Sequence, residues 1–216
     1  MTPDDLARLH PRLYHVTAPG AAAGVRRHGL LCARDALALL EVGEERAREL
    51  TERRRPAGVP VSHPRHGTIT INDNVPLSEK ALERCLDDGL TPAEWLRMLN
   101  GMVFFWPGEA GLRSLLTARL NRDRDREVLV FDTRSLATAH ADAVRLSPIN
   151  SGSTIRRPAR RGLATFTPLG RYGYAEWRRL RGGLDRVREV TVEGSVPDAA
   201  NHLIEVRSGS EFMVEA

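Results

Sequence analysis

The sequence predicts an α+β fold. Short strand patterns and helix patterns alternate irregularly along the 216 residues, which is typical of α+β domains and not of doubly wound sheets. The chain contains neither GxGxxG nor GxxxxGK[ST], so neither a Rossmann fold nor a P-loop fold is predicted. Hydrophobic residues make up 41% and charged residues 28%, as in ordinary globular proteins. At this length we expect residues 1–216 to form a single domain.

The first third of the chain indicates two strands with helices between them. Residues 13–17 alternate in polarity as a strand does, and residues 21–28 predict a short helix. Residues 34–55 are rich in Leu, Ala, Glu and Arg and predict one longer helix. Residues 56–67 hold three prolines and two glycines and predict a loop. The alternating residues 68–71 predict the second strand.

The middle of the chain has the clearest helix start. Thr91-Pro92-Ala93-Glu94 combines a Thr cap, a Pro at the first helical position and a Glu that closes a capping box. A helix is also predicted before it, from Ser78 to Asp88. The apolar run 102–106 that follows predicts a buried central strand, and residues 108–120 predict an amphipathic helix.

The last part of the chain predicts further short strands and helices. The predicted strands are 127–132, 144–149, 189–192 and 203–207. The predicted helices are 135–141 and 174–181.

No feature of the sequence indicates a membrane or secreted protein. No apolar run approaches the roughly 20 residues that a membrane span needs, and the acidic N-terminus lacks the pattern of a signal peptide. Cys32 and Cys85 are the two cysteines and form no CxxC pair, so a disulfide framework is not predicted. We therefore expect a cytoplasmic protein with no membrane partner.

One segment is strongly basic. The net charge of the chain is +4, and residues 151–188 contain ten arginines against two acids, Glu176 and Asp185. Such a segment attracts phosphates, either of a nucleotide or of a nucleic acid, although it is equally consistent with a solvated surface.

Three separated segments resemble the ADP-ribosyltransferase superfamily, and in particular the DarT-type nucleic-acid ADP-ribosyltransferases. Residues 13–17 read Leu-Tyr-His-Val-Thr and precede Gly29-Leu30, like the "YHxT" strand and "GL" helix end of that family. Residues 103–106 read Val-Phe-Phe-Trp, like its apolar-aromatic middle strand. Glu189 begins Glu-Val-Thr-Val, like the late "E-x-x-V" strand that carries its catalytic Glu. The charged and aromatic pattern of close DarT relatives after the middle strand is missing, which indicates a sister family.

The resemblance implies a split β-sheet core, NAD as substrate and a set of site residues. It implies that Glu189 is catalytic, because cleavage of the nicotinamide–ribose bond develops positive charge that a carboxylate stabilises. It implies that an arginine binds the pyrophosphate; Arg65 is nearest the expected position, and residues 53–55 offer three competing arginines. The implied NAD-binding residues are His15, Thr17, Tyr14, Phe105 and Trp106, with one aromatic ring stacked on the nicotinamide.

The same residues also have ordinary structural interpretations. His15 and Thr17 are common strand residues, the aromatic run suits a buried core, and Glu189 could face solvent. The motif His63-Pro64-Arg65-His66 has no carboxylate or cysteine at ligand spacing, so no metal site is predicted.

The resemblance leaves three alternatives to ADP-ribosylation open. The first two are an RNA 2′-phosphotransferase and an NAD hydrolase of the same fold, and the third is a non-catalytic binding module. For a transferase, the basic segment favours DNA or RNA as the acceptor, and the resemblance suggests a toxin or defence role.

Overall fold

The structure is a computed structural model that describes residues 1–155 and 157–213, and it confirms the predicted α+β class. The α-helices in these residues are α1 (Pro3–Leu9), α2 (Ala21–His28), α3 (Ala33–Leu39), α4 (Glu44–Glu52), α5 (Glu79–Cys85), α6 (Pro92–Asn100), α7 (Glu109–Leu116), α8 (Thr133–Ala139) and α9 (Tyr174–Leu180). The strands are β1 (Arg12–Thr17), β2 (Val59–His63), β3 (Gly67–Ile71), β4 (Met102–Phe105), β5 (Glu127–Asp132), β6 (Val144–Ser147), β7 (Thr167–Pro168), β8 (Glu189–Glu193) and β9 (Leu203–Ser208).

The strands form two antiparallel sheets and a separate hairpin. One sheet has the order β1-β5-β9 and the other has the order β4-β8-β6-β7. The hairpin pairs β2 with β3. In β5, Val128 to Phe131 are fully buried, because this central strand is covered on both faces.

The two sheets meet at the start of the chain. Tyr14 of β1 exchanges two backbone hydrogen bonds with Trp106, which lies just beyond β4, at 3.0 Å and 2.8 Å. A shared core packs across this junction and contains Leu13, Phe105 and Val190. β1 therefore contacts both sheets, and its side chains lie where the sheets diverge.

Residues 34–55 do not form the single helix that their composition predicts. The chain leaves the helical path after α3 and starts again at α4, with Glu41 at a φ of 54° and the Val42 N–H bonded to the carbonyl of Leu37. The turn places Leu37 and Leu50 in one apolar cluster with Ile71 of β3.

The prediction of a loop over 56–67 was also wrong in part. Residues 59–63 form β2, in which Pro60 lies opposite Thr70. A proline is tolerated here because β2 is an edge strand, where one side of the backbone needs no N–H donor. No helix in the described ranges is long and apolar enough to span a bilayer.

Candidate functional site

A cavity of about 520 Å³ opens where the two sheets diverge. Such a volume lies within the range of roughly 300–1,000 Å³ found for small-molecule and cofactor sites. Its lining comes from both sheets, from the α2–α3 region and from the hairpin. The predicted site residues that line it are His15, Thr17, Phe105, Trp106 and Glu189.

Glu189 reaches the cavity from the first position of β8. This strand lies between β4 and β6 and pairs with both in continuous register. Val190 and Val192 point to the apolar core and are fully buried, so the alternation of the strand directs Glu189 to the other face. Burial of the valines therefore fixes the direction of the carboxylate.

The carboxylate of Glu189 is buried and held by one peptide group. The side chain is 5% exposed, and both of its oxygens accept the N–H of Ser151 at 3.1 Å. Arg161, itself buried, donates to the carbonyl of Ser151 at 2.9 Å. Burial raises the pKa of Glu189 to about 7, although the Ser151 hydrogen bonds and the Arg161 charge act in the opposite direction. The group can therefore change its protonation state near neutral pH.

His15 presents a hydrogen-bond acceptor to the cavity. Its Nδ1 lies 2.9 Å from the carbonyl oxygen of Phe104, and a carbonyl can only accept, so Nδ1 carries the proton. Burial lowers the pKa of His15, which favours the neutral ring. In that tautomer Nε2 is unprotonated and can accept a hydrogen bond from a hydroxyl or an amide.

The aromatic residues differ in their availability. Phe105 is 1% exposed and packs edge-on against Phe131 at 5.4 Å between ring centroids. Trp106 is half-buried, and its ring lies directly over Gly111 of α7, where a Cβ would come within 3.0 Å of it. Of these two, Trp106 offers the larger free ring face to a ligand.

The structure leaves two of the predicted site residues outside the cavity. Tyr14 is 6% exposed and donates its hydroxyl to Glu109 at 3.2 Å, away from the lining residues. Arg65 lies in the turn of the hairpin, exposed, with an ion pair of 2.7 Å to Glu41. Thr68 of β3 lines the cavity, whereas Arg65, three residues earlier, is not among the lining residues.

Two other arginines line the cavity. Arg55, one of the three competing arginines, is 7% exposed and donates to the carbonyl of Asn72 and the side chain of Asn100, each at 2.8 Å. Burial lowers the pKa of Arg55 to about 10, while the charge of Asp73 opposes this shift. Arg126 also lines the cavity and lies 3.5 Å from a carboxylate oxygen of Asp73.

Sequence reasoning missed the polar residues that follow β3. Asn72, Asp73 and Asn74 all line the cavity, and Asp73 pairs with Arg124 at 2.6 Å as well as with Arg126. The signal in the sequence was the run of three polar residues directly after the alternating strand pattern. Loops that follow strands commonly carry ligand-binding residues. Arg126 gave no local signal, because it reaches the cavity from just before β5.

Comparison with known proteins identifies a family that matches the chain, but that family has no known activity. The model of a family described as "Family of unknown function (DUF7002)" matches residues 11–203. No curated protein matches the chain. The matched range includes both sheets as far as the first residue of β9, and every residue of the cavity named above.

Proposed function

The chain belongs to DUF7002, a family of unknown function, and we propose that it is an NAD-dependent ADP-ribosyltransferase with nucleic acid as its acceptor. The observation that carries the proposal is that Glu189 and His15, which come from opposite ends of the sequence and from different sheets, line the same cavity.

The finer fold assignment belongs to the same proposal. Two antiparallel sheets joined at the Tyr14–Trp106 bridge would form the split β-sheet core expected of ADP-ribosyltransferases. In that arrangement β1 and β8 would supply opposite walls of the NAD site. The position of Glu189 at the start of β8 supports the assignment.

The chemistry follows from a buried carboxylate beside a ribose. Cleavage of the bond between nicotinamide and ribose C1′ leaves the electron pair on nicotinamide and positive charge on the ribose. Ionised Glu189, accepting a hydrogen bond from the ribose 2′-hydroxyl, would stabilise that charge. The acceptor nucleophile then forms the new bond to C1′ and loses its proton. Because the cavity is largely closed to water around Glu189, the electrostatic effect would be strong.

The neutral ring of His15 would fix the orientation of NAD. Its unprotonated Nε2 can accept from a ribose hydroxyl or from the nicotinamide amide, and Thr17, two residues along the same face of β1, can contact the same ligand. For the pyrophosphate, Arg126 would take the place that the sequence suggested for Arg65, since it lines the cavity and guanidinium groups bind phosphate oxygens well. Arg55 also lines the cavity, but its guanidinium already donates to Leu50, Asn72 and Asn100.

The basic segment supports nucleic acid as the acceptor. Among its described residues, Arg157, Arg171, Arg179, Arg186 and Arg188 have exposed side chains. The two ends of this segment lie beside the cavity. Ser151 donates its N–H to Glu189, and Arg188 directly precedes Glu189 in the sequence. A bound polyanion would therefore lie close to the reacting ribose.

The test is transfer of label from NAD. The protein is incubated with NAD labelled in its adenosine part and with DNA or RNA, beside Glu189→Gln and the control Glu193→Gln, which alters an exposed carboxylate on the same strand. We expect labelled nucleic acid with the wild type and with Glu193→Gln, and a loss of at least about 100-fold with Glu189→Gln.

Other outcomes would contradict the proposal in distinct ways. Free ADP-ribose without labelled polymer would show an NAD hydrolase. Loss of a 2′-phosphate from RNA would show a 2′-phosphotransferase. If NAD does not bind to the protein, the result would favour a non-catalytic binding module.

A further inference from the structure

A second polar cluster lies outside the cavity, on the far side of the segment that forms its wall. It joins three residues from two places in the chain: His140 directly follows α8, Asp198 begins a short turn, and His202 ends the 3-10 helix Ala199–Asn201 just before β9. None of the three lines the cavity. The proposed NAD chemistry leaves the cluster unexplained.

The geometry of the cluster is that of one carboxylate held between two imidazoles. Nε2 of His140 lies 2.7 Å from one oxygen of Asp198, and Nε2 of His202 lies 3.1 Å from the other. The two rings are perpendicular, with centroids 5.7 Å apart. The ligand atoms of all three residues lie within 4.8 Å of one another.

We propose that His140, Asp198 and His202 bind a divalent transition-metal ion of the zinc class. Two imidazole nitrogens and one carboxylate oxygen are a common ligand set for such ions. With metal–ligand bonds of about 2.0–2.2 Å, tetrahedral ligands lie about 3.3–3.5 Å apart, so each histidine nitrogen would have to move by less than about 1 Å from the carboxylate oxygen that it contacts at 2.7 Å or 3.1 Å. The ion would draw the same three side chains to one centre.

The surroundings of the cluster suit a metal. Nδ1 of His202 lies 2.7 Å from the hydroxyl of Ser135, which is the kind of outer partner that fixes the ring and tautomer of a metal-binding histidine. When Nδ1 donates to Ser135, the lone pair of Nε2 faces the Asp198 oxygen, and a cation between them removes the repulsion. Asp198 has a side-chain exposure of 37%, whereas His202 is 5% exposed, so the site is open on the carboxylate side for entry of the ion and for a water ligand.

The bound ion would have a structural role. Two residues before Asp198, Val196 exchanges backbone hydrogen bonds of 2.9 Å with Leu30, which lines the cavity. A Cβ on Gly29 would come within 2.6 Å of Pro197, so the 196–198 segment is packed closely on the cavity wall. An ion that ties Asp198 and His202 to the end of α8 would hold this wall in place.

A hydrogen-bonded His–Asp–His group without metal is the competing explanation, and metal binding by the full chain distinguishes the two. Metal-free protein is titrated with Zn²⁺ by calorimetry and separately with Co²⁺, whose visible spectrum reports the coordination geometry. We expect one Zn²⁺ per chain, a Co²⁺ spectrum of a tetrahedral or five-coordinate site, and a melting temperature that rises with Zn²⁺ concentration.

Variants identify the ligands. His140→Gln should abolish the one-to-one Zn²⁺ binding, and Ser135→Ala should weaken it by about 10–100-fold. His66→Gln is the control, because His66 lies in a separate group of imidazoles, with ring centroids 4.9 Å from His63 and 5.2 Å from His28, and it should bind Zn²⁺ as the wild type does.

Two results would overturn the proposal. One is wild-type protein that binds no Zn²⁺ and gives Co²⁺ the spectrum of the hydrated ion. The other is Zn²⁺ binding that persists in His140→Gln and disappears in His66→Gln. The Co²⁺ spectrum uses the unaltered chain, so a variant that fails to fold does not remove the test. Metal content is measured without NAD, so neither result bears on the proposed transferase activity.

Discussion

Glu189 keeps a carboxyl group in a place where its ionisation costs free energy. Val190 and Val192 of the same strand gain from burial, whereas the carboxylate of Glu189 is held by the single N–H of Ser151 and the residue is 5% exposed. The rise of its pKa to about 7 expresses that cost. Buried groups of this kind concentrate at functional sites, where stability is exchanged for reactivity.

Replacing Glu189 with Gln should therefore stabilise the protein at high pH. The folded pKa of about 7 lies above the ordinary glutamate pKa of 4.5, so between these pH values the folded chain keeps a proton that the unfolded chain releases. The wild type thus loses stability as the pH rises from about 4.5 to about 7. Glu189→Gln should raise the free energy of unfolding by roughly 3 kcal/mol at about pH 8 and by less than about 1 kcal/mol at about pH 5.

Chemical denaturation at the two pH values checks this expectation. Glu193→Gln, at the exposed end of β8, is the control and should show no such gain with pH. An equal effect of Glu189→Gln at both pH values would show that the carboxyl group is not buried in solution as it is in the structure.

A substitution of His15 can separate the roles of its two ring nitrogens. Asn carries an N–H near the position of Nδ1 and can keep the hydrogen bond to the carbonyl of Phe104, but it has no group in place of Nε2. His15→Asn should therefore retain most of the stability and weaken NAD binding by about fivefold to tenfold, the effect of one hydrogen bond of ~1 kcal/mol. Calorimetric titration with NAD measures it; unchanged affinity would mean that the ring does not contact the ligand.

At the scale of elements, the parts that were predicted correctly have local causes. The end of α2 follows from Gly29, whose φ of 77° suits glycine, and the start of α6 follows from the capping box of Thr91 and Glu94. β5 and β8 follow from apolar patterns long enough to identify a strand. Each of these signals lies within a few residues of the feature that it predicts.

The parts that were missed depend on contacts between distant residues. β2 exists because it pairs with β3, and its own proline, Pro60, argues against a strand. The break between α3 and α4 places Glu41 in a left-handed conformation that nothing in its neighbours requires. Arg55 lines the cavity, whereas Arg65 pairs with Glu41 outside its lining, a difference that the order of residues does not reveal.

The capping box of α6 can be measured against a matched position. Thr91 accepts the N–H of Glu94 through its side chain, so Thr91→Ala should lower the free energy of unfolding by ~1 kcal/mol. Ser78 precedes α5 in the same way but makes no side-chain cap bond. Ser78→Ala should therefore change the free energy of unfolding by less than about half as much as Thr91→Ala does. Urea denaturation compares the two, and equal losses would show that the α6 box contributes nothing specific.

At the scale of the whole molecule, the basic segment begins and ends beside the cavity. The 151–188 segment carries an excess of eight positive charges in the sequence, starts beside Glu189 and returns to it. The core that both sheets share keeps this arrangement rigid. Long-range attraction of a polyanion to such a surface depends strongly on salt.

Binding of DNA or RNA should therefore weaken linearly with salt on logarithmic axes. Each phosphate contact contributes a slope of about −0.9 for duplex DNA or −0.7 for single strands. Arg171→Gln and Arg179→Gln should each reduce the slope by up to about one unit and leave NAD binding unchanged. Fluorescence anisotropy at several salt concentrations measures the slopes, and a salt-independent affinity would exclude the basic segment as the nucleic-acid surface.

The β2–β3 hairpin forms part of the cavity wall and, in the part of the chain that the structure describes, has no strand pairing with the larger sheets. Among the described residues its strands hydrogen-bond to each other and to neither larger sheet, yet residues 68–71 are among those that line the cavity. A two-stranded ribbon is marginal on its own, and here it rests on the small apolar cluster around Leu37 and Leu50. An occupant of the cavity would add contacts to this ribbon, so proteases should cleave the empty protein there sooner than the filled one.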